Sequence, residues 1–403
     1  MIDHIPNHLP SYALGFLITV MLIWALQPAA RFFGLVDHPG GRKRHDGRIP
    51  LIGGIAMYLG LVISISAAGE PPLSMITSLL AGSLLVLIVG TIDDLVALSA
   101  LSRFLTQITA ATIMVIFGGI AISDLGNLVS SNQVLLGGWS TAVTIFATVG
   151  VINAINMSDG ADGLAGGMSL VTLLALGIMA GIAHHPLFYL FPALVTVTLA
   201  FLGFNIRTRW RSRAQIFLGN GGSMFLGFVM AWVLITMSQG DYAVINPVTA
   251  LWLFALPLMD TVCIMFRRML KGRSPFAPDR QHFHHALIKA GYSVKQAVWI
   301  MISVSAVLAT IGMASYYAKV PDYIVFYAFM GLFAVYFFTM DRVWKSIIVH
   351  RRRSPRRHPH RAGVHKLHSD VPASVNNPST SSNNTELSAE VTEQLQPVKS
   401  VKQ

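Results

Sequence analysis

The sequence predicts an all-α protein, a polytopic membrane helical bundle of about eleven transmembrane helices. Three observations predict it. Charged residues make up 12% of the chain, against roughly 25% in soluble domains. The mean hydropathy is +0.59. Apolar stretches close to the ~20 residues that cross hydrocarbon recur along most of the chain, separated by polar loops.

The windows run over 11–30, 49–68, 73–92, 104–122, 138–157, 165–183, 187–204, 216–237, 245–266, 296–317 and 322–340. Gly and Pro inside them are tolerated in membrane helices. The opening "MIDHIPNHLP" carries no Lys or Arg, so the first window reads as a span and not as a cleaved signal peptide. Cys263, the single cysteine, falls in the ninth window; it excludes an intrachain disulfide and reads as packing.

Lys and Arg set the orientation. They gather after the first window, between windows three and four, seven and eight, nine and ten, and after the last. Of 29, only Lys319 falls on the other side. The N-terminus is therefore expected in the periplasm and the C-terminus in the cytoplasm. The net charge of +11 is then chiefly a topology signal, on a face that also attracts anionic membrane lipids and phosphate-bearing substrates. No soluble basic domain is present, which argues against nucleic acid as a partner. The division expected is a membrane domain over 1–340 and a tail over 341–403. The tail is first basic and His-rich, flanking the membrane, then polar, low in complexity and without apolar period, as disordered segments are.

The cytoplasmic loops hold the chemistry. Asp93 and Asp94 end the third window in "GTIDDL", and Asp159 and Asp162 end the fifth in "NAINMSDGADGLAGG". An acid at membrane depth costs about 2.5–3.5 kcal/mol; at the cytoplasmic end of a span it costs less. Two acid pairs on one face suit Mg²⁺, which takes one or two carboxylates and shares the rest with phosphates and water. Gly160 and Gly163 let backbone approach a phosphate, and the Arg and Lys runs match its charge. The set reads as metal-assisted phosphoryl transfer.

Each piece alone has a plainer reading. Paired acids at a helix end are commonly a solvated cap, and Asp-Gly steps are commonly turns. "RTRWRSR" suits an inside-positive flank, and Asp260 in "PLMDT" suits helix packing as well as a site. "HFHH", without cysteine and beside Arg280, is a weak zinc signal. Their joint occurrence on one face favours a site.

These stretches resemble the polyprenyl-phosphate N-acetylhexosamine-1-phosphate transferases. The resemblance runs from about Gly34 to Ser293. "GLVDHPGGRKRHDGRIPLIGG" is similar to that family's first cytoplasmic loop, "GTIDDL" to its paired-Asp motif and "NMSDGADGLAGG" to its signature. "SPFAPDRQHFHHALIKAGYS" resembles most the bacterial branch that makes undecaprenyl-diphospho-N-acetylglucosamine. The resemblance implies attack of undecaprenyl phosphate on the β-phosphate of UDP-N-acetylglucosamine, with Mg²⁺ or Mn²⁺. The setting it implies is the cytoplasmic face of a bacterial inner membrane, at the start of O-antigen or enterobacterial common antigen synthesis.

It also implies roles. Asp93 and Asp94 orient the lipid phosphate and help hold the metal, and Asp159 and Asp162 shape the metal–diphosphate site. Gly163, Leu164 and Asn205 lie by the nucleotide, and Arg280, His282, His284 and His285 grip the diphosphate and sugar. Lys43, Arg44 and His45 meet the lipid phosphate. A route with one Asp as covalent nucleophile stays open.

One position departs from the family pattern. Where it has a metal-ligating Asp in "GDxGS", this chain has Asn220 in "LGNGGS". Three readings stand: Asn220 ligates with Asp162 supplying charge; the chain is a weakened paralogue; or the Asn220-Gly221 step deamidates to Asp. Another UDP-N-acetylhexosamine as substrate also stays open, as does a homo-oligomer. The rival from another class is an ion-coupled transporter, disfavoured because the acids sit at one face and no inverted repeat is visible.

Overall fold

The computed structural model describes residues 5–37, 47–69, 73–129, 132–208, 211, 213–274 and 281–353, without the side chains of 5–7 and 347–353. They form helices α1 (Ile5–Phe32), α2 (Gly53–Ala68), α3 (Ser74–Val96), α4 (Ala100–Gly118), α5 (Ser140–Ser158), α6 (Leu164–Ile182) and α7 (Leu190–Asn205). Then follow α8 (Gly219–Ser238), α9 (Pro247–Leu253), α10 (Ala255–Met269), α11 (Phe283–Lys289), α12 (Val294–Tyr317) and α13 (Asp322–Arg353). One short antiparallel pair joins β1 (Val36–Asp37) to β2 (Ile49–Pro50). Among the described residues nine helices are long and apolar enough to cross a bilayer, or ten if α9 and α10 make one bent span. The chain is an all-α multi-pass membrane protein.

Three windows come out differently from expectation. The second begins late, because Ile49 and Pro50 are used in β2. α2 has 16 residues, and such a helix is about 24 Å long, short of a hydrocarbon core of about 30 Å. The ninth window is broken, with α9 and α10 meeting at 85°. Pro257 has no N–H to give to the Leu253 carbonyl four residues before it. The Thr172 hydroxyl of α6 donates to that carbonyl instead, at 2.8 Å, so the break leaves no orphan acceptor there.

The last window does not stop at 340, since α13 continues to Arg353. Met340 and Trp344, one turn apart, are buried in a cluster with Cys263 and Ala286, and the Lys289 ammonium lies 4.1 Å from the Trp344 ring centre. These contacts extend the helix past the point where the apolar pattern ends. Cys263 packs, as its sequence position suggests. The rest of the expected tail, 354–403, lies outside the described residues.

α8 is the centre of the bundle, with every residue buried except Asn220. Glycines let its neighbours close on it: Gly54 of α2 touches Gly222, and a Cβ on Gly90 of α3 would lie 2.5 Å from Gly221 Cα. Such small-residue contacts take over where lipid removes the hydrophobic drive between helices. Gly227 meets α5 in the same way, a Cβ there falling 2.6 Å from Ile152 Cα. The start of α8 is thereby held at the level where α3 and α5 end.

Candidate active site

α3 carries Asp93 and Asp94 in its last turns, against the first turn of α8. The first N–H groups of a helix lack intrahelical partners and carry partial positive charge. Asp94 takes two of them: the Asn220 N–H donates to Oδ1 at 3.0 Å and the Gly221 N–H to Oδ2 at 3.2 Å. Gly219 makes the approach possible. It has φ +76°, and a Cβ there would lie 2.6 Å from Asp94 Oδ2.

Asp93 is buried, and its oxygens are in use. Oδ1 accepts the Leu98 N–H at 2.7 Å; Oδ2 accepts from Arg103 Nη1 at 3.1 Å and from Asn220 Nδ2 at 2.9 Å. Asn156 of α5 completes the group, donating to Ser223 Oγ at 2.7 Å and to Asn220 Oδ1 at 3.4 Å. α3, α5 and α8 thus meet through one polar network.

A cavity of about 740 Å³ opens beside it. One wall carries Arg103, Asn156, Asp159 and Gly160; the other carries Arg268 and the three histidines His282, His284 and His285. The histidines are mounted on Asp260. His282 Nδ1 donates to Asp260 Oδ2 at 2.9 Å, and Oδ1 accepts the Phe283 N–H at 3.1 Å and the Tyr336 hydroxyl at 2.8 Å. Asp260 therefore fixes the start of α11, and Tyr336 of the last span fixes Asp260.

His284 is buried, and among the described residues neither ring nitrogen has a hydrogen-bond partner. Its Nε2 lies against Gly160, where a Cβ would come within 2.7 Å. Burial, reinforced by His285 and His282, pushes its pKa down to about 3. It is neutral at neutral pH and offers one donor and one acceptor.

The other sequence-predicted residues lie apart from the cavity wall. Arg207 Nε donates to Asp162 Oδ2 at 2.7 Å, and the Ala214 N–H reaches the same oxygen at 3.4 Å. Gly163, at φ +86°, begins α6 and donates its N–H to Asn205 Oδ1 at 2.7 Å; Asn205 Nδ2 donates to the Ile216 carbonyl at 2.9 Å. Asn205 thus ties the α5–α6 turn to the α7–α8 loop with both ends of its amide. Leu164 is fully buried, clustered with Met168 and Met259. Lys43, Arg44, His45 and Arg280 lie outside the described residues.

The sequence pattern singles out neither Asn156 nor Tyr336 for the site, and Arg103 and Arg207 enter it only as members of the basic loops. Asn156 had a signal, being an amide inside an apolar window. Tyr336, far along the chain from Asp260, had none.

Among the described residues no three His, Cys, Asp or Glu side chains group to hold a metal unaided. The acid cluster offers the carboxylate oxygens of Asp93 and Asp94, to which Asn220 turns its N–H and amide nitrogen; an amide oxygen joins them if that amide is turned over. Such a set fits a hard divalent cation that also takes substrate oxygens and water.

One acid, two arginines and three histidines line this cavity at the ends of membrane helices, beside Asp93 and Asp94, and these are residue types that phosphoryl transfer uses. The Glycosyl transferase family 4 pattern matches residues 76–238. The chain is 36% identical over 356 residues to the undecaprenyl-phosphate alpha-N-acetylglucosaminyl 1-phosphate transferase of Escherichia coli strain K12, covering 87% of this chain and 96% of that one. The enzymes of the same name from Salmonella typhi (36%, covering 82% and 90%) and Haemophilus influenzae (36%, covering 83% and 94%) are similar to it over nearly the same extent. The chain belongs to the polyprenyl-phosphate N-acetylhexosamine-1-phosphate transferase family, whose members are phosphoglycosyltransferases.

Proposed function

We propose that the protein transfers N-acetylglucosamine-1-phosphate from UDP-N-acetylglucosamine to undecaprenyl phosphate. An oxygen of the lipid phosphate forms a bond to the β-phosphorus, the bond from that phosphorus to the bridging oxygen breaks, and UMP leaves with the electron pair. The observation that carries this reading is the single cavity that collects Arg103, Asp159 and the histidines beside Asp93 and Asp94. The names of the relatives supply the substrates.

Arg103 and Arg268 give the cavity the positive charge that a diphosphate needs. Neutral His284, whose ring nitrogens have no partner among the described residues, suits sugar or phosphate oxygens. Asp93 and Asp94 are the residues that would hold Mg²⁺ or Mn²⁺, with Asn220 joining by turning its amide oxygen to them; Asp159 lines the neighbouring cavity, and Asp162 would join only by leaving Arg207. The ion would neutralise charge on the diphosphate.

The proposed setting is a bacterial inner membrane crossed eleven times, counting α2 and the bent pair. The N-terminus is then periplasmic and the acids cytoplasmic, as the Lys and Arg distribution favours. The product would start O-antigen or enterobacterial common antigen type glycans. The test supplies purified protein with undecaprenyl phosphate, Mg²⁺ and a panel of UDP-sugars and measures UMP. Release with UDP-N-acetylglucosamine above the other sugars is expected; no release with any sugar overturns the reading.

A further inference from the structure

At the end of the bundle opposite the acids, Lys319 goes against two regularities. It is the only Lys or Arg outside the basic loops and tail. Its backbone is left-handed, at φ +53°, where a helix end ordinarily has glycine. The end of α12 is closed there by the Val320 N–H donating to the Ser315 carbonyl at 3.0 Å and the Lys319 N–H to the Tyr316 carbonyl at 3.0 Å. Glycine would make the same closure without strain. A side chain kept against both topology and backbone preference points to a use for its charge.

A cavity of about 400 Å³ lies beside it, lined among others by Asn127, Asn246, Ser315, Tyr316, Lys319 and Asp322. It holds both signs of charge, yet among the described residues no ion pair joins Lys319 to Asp322. Asp322 Oδ1 instead accepts from Asn246 Nδ2 at 2.6 Å. Asn127 Oδ1 is buried and has no hydrogen-bond partner among the described residues. One wall thus offers a cation, and the others offer the Asp322 carboxylate, one oxygen of which takes Asn246, and an Asn127 amide oxygen that lacks a donor among the described residues.

We propose that this cavity binds the headgroup of a zwitterionic aminophospholipid, its phosphate on Lys319 and its primary ammonium on Asp322 and Asn127. Separated opposite charges match a zwitterion better than a simple anion or cation. The oxygens need N–H donors; a primary ammonium has three and a trimethylammonium none. The source is the membrane because of where the cavity sits. It lies at the ends of α9, α12 and α13. α12 has 24 residues, and a helix of that length is about 36 Å long, so this end stands at the bilayer surface when the other end stands at the catalytic face. The inference does not depend on the transfer reaction.

The test measures thermal unfolding of the purified full chain in detergent. Phosphatidylethanolamine, phosphatidylcholine and phosphatidylglycerol of matched acyl chains are titrated, with soluble phosphoethanolamine as a fourth ligand. Phosphatidylethanolamine is expected to raise the midpoint with an apparent affinity at least tenfold above the other three. Lys319→Gly is the decisive variant, because it relaxes the backbone. Its lipid-free midpoint is expected to hold or rise while the phosphatidylethanolamine shift disappears; Lys319→Gln repeats the loss with a side chain in place. Equal shifts from all three lipids overturn the proposal, as does a phosphatidylethanolamine shift that survives both variants. A shift from soluble phosphoethanolamine as tight as the lipid's overturns the membrane source.

Discussion

The side-chain amide of Asn220 donates to Asp93 at 2.9 Å while its own backbone N–H donates to Asp94 at 3.0 Å. One residue thus faces both acids of α3 with donors. Replacing that amide by a carboxylate would set three acids at the start of α8, where like charges within a few ångströms raise each other's cost of ionisation. Asn220→Asp is therefore expected to lower the unfolding midpoint in chelator, by the equivalent of about 1 kcal/mol at this partly solvated position. Added Mg²⁺ should close the gap and half-saturate UMP release at a severalfold lower concentration than in the parent. Thermal melts with and without Mg²⁺ read the first effect and a Mg²⁺ titration the second. Identical Mg²⁺ dependence in the two proteins would show that the amide is no handicap to metal binding.

Tyr336 touches no cavity wall, yet its hydroxyl supports Asp260 at 2.8 Å, and Asp260 supports His282. Loss of a hydrogen bond to a buried charged group costs about 1.5–3 kcal/mol. Tyr336→Phe is expected to raise KM for the UDP-sugar about tenfold with little change in kcat, because His282 is misplaced rather than removed. Asp260→Ala should cost more, since His282 and the Phe283 N–H then both lose their acceptor. Steady-state UMP release separates KM from kcat. A lowered melting point with unaltered kinetics would assign Tyr336 to folding alone.

The spans were legible because an apolar run of some twenty residues has few uses other than crossing a bilayer. The acid cluster and the histidine loop were legible because ionisable residues are rare in such a chain. Three features were not, for physical reasons. Pro257 was counted among the prolines that membrane helices tolerate; whether it breaks the helix depends on a partner for the Leu253 carbonyl, and Thr172 is remote in sequence. Asp162 and Asp159 stand three residues apart around a Gly-rich turn, and only the folded loop shows that Arg207 takes one while the cavity takes the other. The run of α13 past 340 depends on Trp344 meeting a small cluster that draws on two other stretches of chain, α10 and α11.

His284 makes the site sensitive to acid. Its pKa is held down to about 3 by burial first and by its histidine neighbours second, against about 6.5 for an unperturbed His. Protonation therefore favours the unfolded chain. The sign follows: stability is unaffected above pH 6.5 and is lost as the pH falls from there toward 3. At pH 5 the loss from this group is roughly 2 kcal/mol. Unfolding midpoints between pH 7 and pH 5 should show this slope, and His284→Gln should flatten it. A parent and variant of equal slope would mean that His284 is not held neutral.

The bend between α9 and α10 matters to the site because α10 carries Asp260 and Arg268. At the break itself the Leu253 carbonyl takes a donor from outside the bent pair, the Thr172 hydroxyl at 2.8 Å. Thr172→Val keeps the side-chain shape and removes the donor, leaving a buried carbonyl that costs about 1–3 kcal/mol. With the break no longer satisfied, the melting midpoint is expected to fall. Because α10 mounts the histidines, kcat/KM for UMP release should fall with it. Thr172→Ser restores the hydroxyl without the methyl group and is expected to recover most of both. A Val variant as stable and as active as the parent would mean that the bend is held by packing, with the hydroxyl incidental.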